Sequence, residues 1–156
     1  MTCRFVKIGL LNLIIVAIIG VLMRYKIGFE FPYFDQKYLL HAHSHFAFTG
    51  WVTHILFTLL VLFLKDEIPL IIGLKKYNIL ILCNLFCAYG MLFTFAIQGY
   101  GLVSICFSTI SILVGYVFTW YYFLDLKLIN SNHPSKKWFK AALFYNLLSS
   151  LGTFYL

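Results

Sequence analysis

Residues 39–64 read LLHAHSHFAFTGWVTHILFTLLVLFL. A hydrocarbon core about 30 Å thick takes about 20 apolar residues wound as a helix, and this run is long enough to cross it. Its apolar residues are continuous and do not alternate with period two, which argues against a strand. Outward from it lie four more runs of the same kind: Ile8–Met23 (extendable to Phe5 if Lys7 snorkels), Tyr77–Ile97, Leu102–Leu124, and a last run from Ala141 to Leu156. Five such runs predict an all-α, polytopic transmembrane helix bundle, a single membrane domain over residues 1–156.

Composition agrees. The chain has 156 residues, of which 62% are hydrophobic, 20% aromatic and only 11% charged, whereas a soluble domain carries about 25% charged residues. An ordinary soluble globule, a disordered tail and a disulfide-rich scaffold are excluded. The net charge of +7 does not point to nucleic acid, because the basic residues sit in short segments between apolar runs. The expected partner is the lipid bilayer. The first run starts with Arg4 and Lys7 but continues into Met23-Arg24-Tyr25-Lys26 with no small-residue cleavage site. It is therefore expected to be retained as a helix.

Lysine and arginine set the expected orientation. Arg4, Lys7, Lys65, Lys75, Lys76, Lys127, Lys136, Lys137 and Lys140 fall on the side of the amino terminus; Arg24, Lys26 and Lys37 fall on the other. The positive-inside bias predicts a cytoplasmic amino terminus, which puts the start of the second run near the outer face. Gly99 and Gly101 suit a short turn between the third and fourth runs. The fifth run is still apolar at Leu156, so we expect the chain to be part of a longer polytopic protein.

Four of the five histidines fall between residues 41 and 54. Ionisable side chains inside a membrane are costly and face a bundle interior or a cavity. At about 100° per residue, His41 and His45 share one face of a helix. His43 and His54 are also nearly aligned, about 16 Å apart along the axis, and point roughly the opposite way. One compact site cannot take all four from a straight helix. If the helix began only near His43, the first histidines would lie in an outer loop. Imidazole ligates haem iron, copper and zinc; one ring nitrogen faces the metal and a hydrogen bond on the other fixes the tautomer. Ser44, Thr49 and Thr53 are nearby hydroxyls for that bond. The small residues Ala42, Ser44, Ala47 and Gly50 leave room for a flat macrocycle or a close helix. A lone membrane histidine commonly only bridges two helices, and this is the simpler expectation for His54. Four together favour cofactor, metal or proton chemistry, with His41 and His45 as the pair for zinc or copper and His54 a weaker candidate ligand. Cys83 and Cys87 share a helix face and are expected to pack. Glu30, Asp35 and His133 are expected as solvated loop residues.

The stretch His43-Ser44-His45-Phe46-Ala47-Phe48-Thr49-Gly50-Trp51-Val52 resembles the His-x-His and Gly-Trp pattern in helix two of membrane proteins similar to subunit I of haem–copper oxidases. The nearest-looking members are the cbb3-type and nitric-oxide-reductase-like proteins and related bacterial membrane proteins. The resemblance covers about ten residues closely and the five-helix layout loosely, corresponding to the amino-terminal part of that family's longer bundle. It implies a b-type haem near the outer face of a bacterial inner membrane, with His43 or His45 as axial ligand and His41 in support. It also implies a role in respiratory electron transfer. The family's other metal ligands lie on later helices, so the second axial ligand would come from other respiratory subunits, a missing segment or a second copy.

Overall fold

A computed structural model describes residues 2–67, 74–129 and 135–151, and among them every regular element is helical. The elements are α1 (Thr2–Gly28), α2 (Gln36–Phe46), a π-helical segment (Ala47–Thr53), α3 (His54–Glu67), α4 (Leu74–Gln98), α5 (Leu102–Leu126) and α6 (Ser135–Leu151). The second, third and fourth of these form one continuous rod, Gln36–Glu67. Four rods are long and apolar enough to cross a bilayer: Arg4–Gly28, Gln36–Glu67, Lys75–Gln98 and Leu102–Leu126. They contain the first four predicted runs. The fifth run begins inside α6, which starts earlier, at Ser135, and carries Lys136, Lys137 and Lys140 in its opening turns. Residues 152–156 and His133 lie outside the described residues.

The rod that carries the histidines starts at a defined cap. Asp35 has an extended backbone, and its side chain accepts hydrogen bonds from the Lys37 and Tyr38 N–H groups at 2.8 and 3.1 Å. This satisfies two of the donors that a helix start leaves open. His41, His43 and His45 are therefore well inside the helix and not in an outer loop. Asp35, expected as a solvated charge, is the cap. The rod is 32 residues long, about 48 Å, so it overruns the hydrocarbon at both ends. Its midpoint falls near Trp51, so the π segment lies at the middle of the rod and His43 roughly 12 Å from that midpoint toward Gln36.

Helix α1 lies antiparallel along this rod. Phe5 meets His54, Gly9 meets Ile55, Asn12 meets Gly50 and Gly20 meets His43. On the other side α4 packs against α2 through Ala42, Met91 and Phe95, all fully buried. The short connection between α4 and α5 depends on Gly99, which has a φ of +61°, where a side chain is strained. A Cβ there would also stand 2.5 Å from the Tyr38 ring. Ser104 Oγ then closes the start of α5 by accepting from the Gly101 N–H at 2.9 Å.

The bundle is apolar outside, and its largely hydrophobic interior also buries several polar side chains. On α1, Leu10, Ile14, Ile18 and Val21 form an exposed stripe at helical spacing, while Asn12 on the same helix is fully buried. Asn84, Thr58, Ser104 and Ser111 are buried as well. Toward the amino-terminal end of the bundle the core is aromatic. Phe57 stacks on Phe118 with ring centroids 3.7 Å apart, beside Tyr77 and Tyr122. Between lipid-bathed helices such close packing and interhelical hydrogen bonds supply the association energy.

Candidate functional site

The four histidines split into the two pairs that helical geometry predicts. His41 and His45 face α4. The His45 ring lies flat on Phe95, 4.3 Å between centroids and 9° between planes. Tyr100 meets the His41 ring edge-on at 4.5 Å and the His45 ring at 6.0 Å. His43 and His54 face α1. The His43 ring sits where Gly20 has no side chain, and His54 Nε2 is 3.0 Å from the Phe5 carbonyl. His54 is fully buried and ties α3 to the start of α1.

The hydroxyls that the sequence offers to these rings do other work. Ser44 donates to the His41 carbonyl at 3.1 Å and Thr49 to the His45 carbonyl at 2.6 Å. Both are the back-bonds that short hydroxyl side chains make within a helix. The hydroxyl that reaches an imidazole is Tyr100, 3.3 Å from His45 Nε2. It comes from the α4–α5 connection, and the Gly99 turn brings it there. Two ring nitrogens, His41 Nε2 and His43 Nδ1, are buried with no hydrogen-bond partner. His54 Nδ1 is likewise unpartnered.

An open-sided cleft of about 420 Å³ runs beside the π segment, lined by His45, Thr49, Thr53, Ser108, Ser111 and Asn146 among others. It joins a smaller lobe of about 120 Å³ that reaches Asn84 and Gly115. Polar side chains hold the floor of this cleft together. Asn84 Nδ2 donates to the Thr49 carbonyl at 3.0 Å, and Ser111 donates to Asn84 Oδ1 at 3.5 Å. Behind the π segment, Asn12 Nδ2 donates to the Gly50 carbonyl at 2.5 Å and Tyr89 donates to Asn12 Oδ1 at 2.7 Å. A carbonyl oxygen has two lone pairs, so Thr49 and Gly50 accept these side chains in addition to any helical bond. Thus α1, the π segment, α4 and α5 are tied at the middle of the rod through two carboxamides. Asn12, Asn84, Tyr89 and Tyr100 are not among the site residues read from the sequence. The signal was present in Asn12 and Asn84, carboxamides set among continuous apolar residues.

Among the described residues no three His, Cys, Asp or Glu side chains converge. Cys83 is exposed and Cys87 buried on α4, with no third donor beside them. A metal ion at His41 and His45 would therefore take two ligands here and the rest from elsewhere. The donor set does fit an axial imidazole. His45 lines the cleft and has one nitrogen beside the Tyr100 hydroxyl, whereas His41 and His43, whose buried nitrogens lack a partner, do not line it. The fold and this cleft define an all-α membrane bundle with an imidazole-bearing, polar-floored cleft. The chain matches no family model, no curated protein and no solved structure.

Proposed function

We propose that this chain is a haem-binding integral membrane protein of respiratory electron transfer, corresponding to the amino-terminal part of a haem–copper oxidase subunit I-like protein. We place it in a bacterial inner membrane with its amino terminus cytoplasmic. One observation carries the proposal: His45, in the amino-terminal half of the rod, lines the cleft while its Nε2 meets the Tyr100 hydroxyl. When Nε2–H donates to the Tyr100 oxygen, the lone pair sits on Nδ1, which is the nitrogen that would then face a metal. A b-type haem held there supplies a one-electron redox couple. His41 lies beside the same tyrosine and supports the ring, and His43 is the second candidate ligand. A further ligand to the haem would come from a missing segment, another respiratory subunit or a second copy of the chain.

Protein purified from haem-replete cells should show a Soret band. His45→Ala should abolish or strongly weaken it with helical circular dichroism unchanged. A Soret band unaffected by both His45→Ala and His43→Ala would reject the proposal. Zinc or copper on the pair His41 and His45 is the alternative, favoured by the way both rings bracket Tyr100. Stoichiometric zinc or copper by elemental analysis, without a Soret band, would select it.

A further inference from the structure

A second cavity lies further along α5 and α6, beyond Tyr116. It is an apolar groove of about 390 Å³ between α5 and α6, walled by Tyr116, Trp120, Phe123, Leu143, Phe144 and Leu147. It continues past Leu147 to Leu148 in a further lobe of about 290 Å³. From Lys140 to Leu148 the groove follows about 12 Å of helix, a length that suits an alkyl chain lying along the bundle.

The mouth of this groove is charged. Lys140 lines it, and its Nζ stands 6.0 Å from the centre of the Phe123 ring. Lys127 approaches the same ring at 5.2 Å. Two ammonium groups therefore flank one aromatic wall at one end of the groove. Neither is paired with a carboxylate among the described residues, whereas Lys76 is, to Asp125 at 2.7 Å. Lys136 is bound to the Ile129 carbonyl at 2.7 Å, so it is already engaged. Lysines at the end of a membrane helix reach toward the headgroup level, and basic pockets between transmembrane helices bind anionic headgroups.

We infer that the α5–α6 groove holds an acyl chain of an anionic phospholipid whose phosphate lies between Lys127 and Lys140. The apolar walls take the chain, and the two ammonium groups select the charge of the head. A neutral phospholipid would fill the same walls but leave both cations uncompensated.

Trp120 lines the groove and reports its occupancy. The chain has three tryptophans, so Trp51→Phe with Trp138→Phe leaves Trp120 alone. This protein is reconstituted in phosphatidylcholine vesicles containing brominated phosphatidylglycerol or, at equal mole fraction, brominated phosphatidylcholine. Trp120 should be quenched preferentially by the anionic lipid, with a preference of about fivefold for each lysine. Lys127→Gln with Lys140→Gln should reduce quenching by phosphatidylglycerol to the level of phosphatidylcholine, while the Arg pair retains the preference. Leu147→Phe, which fills the groove, should weaken quenching by both lipids. Equal quenching by the two lipids, a preference that survives the double Gln change, or no effect of Leu147→Phe would each overturn the inference. Circular dichroism of every variant separates loss of binding from loss of fold.

Discussion

The side-chain amide of Asn12 and the main-chain carbonyl of Gly50 meet inside the bundle and join α1 to the π segment. Tyr89 completes the contact by donating to the Asn12 carbonyl oxygen at 2.7 Å. The three groups come from three different helical elements, so they fix how those elements sit against one another.

Asn12→Leu should therefore destabilise the bundle by about 1 kcal/mol, the scale of an interhelical hydrogen bond in lipid. Reversible unfolding in mixed micelles with increasing sodium dodecyl sulfate measures it. Combining Asn12→Leu with Tyr89→Phe should cost less than the sum of the two changes, because both remove the same bond.

Two glycines should respond in opposite ways. Gly99→Ala meets a left-handed backbone and the Tyr38 ring, and should lower stability by about 1–2 kcal/mol. Gly115→Ala finds no atom within 4 Å of its new Cβ, and helix propensity favours it. Its melting temperature in detergent should hold or rise. Because Gly115 lines the smaller lobe of the cleft, Gly115→Leu should narrow that lobe, and haem uptake should fall while the fold remains.

At the amino-terminal end of the bundle Tyr77 donates to Asp125 at 2.6 Å, and Lys76 pairs with the same carboxylate oxygen. Tyr77 is fully buried. Tyr77→Phe should cost about 1.5 kcal/mol, the lower range for a hydrogen bond to a charged group. Asp125→Asn should lower stability as well, since it removes the ion pair. Equilibrium unfolding of both variants tests the cluster, and a neutral Tyr77→Phe would show that the bond contributes nothing.

His54 and His45 should separate structure from binding. His54→Ala removes the bond to the Phe5 carbonyl and opens a cavity in a fully buried position. It should cost about 2 kcal/mol while the Soret band, measured where the variant is folded, persists. His45→Ala should show the reverse: little change in unfolding and loss of the band. Loss of the band in both at full folding would place His54 in the site.

The four long rods were legible because hydrocarbon thickness dictates their length and composition, so Ile8, Leu39, Tyr77 and Leu102 mark real helices. That His41 and His45 share a face away from His43 was also legible, since angular spacing along one α-helix sets it; where His54 points was not, because the π segment intervenes. The π segment was not. It differs from an α-helix in hydrogen-bond partner and not in residue pattern, and Gly50-Trp51 carries no period that announces it. The partner of His45 was hidden for a different reason. Tyr100 is far along the chain, and only the turn at Gly99 carries it to the imidazole, while the nearer hydroxyls of Ser44 and Thr49 are taken by their own backbone.

The seven residues Ala47–Thr53 wind more loosely than the helix on either side. A wider turn inserts extra chain without breaking the rod, so it works as a phase adjuster between the two halves. The half before it aims His45 at Phe95 while the half after it independently aims His54 at Phe5. Deleting one residue such as Val52 would tighten that turn and rotate the first half by about 100° relative to the second, turning one of the two imidazoles away from its neighbour although no contact residue had been changed.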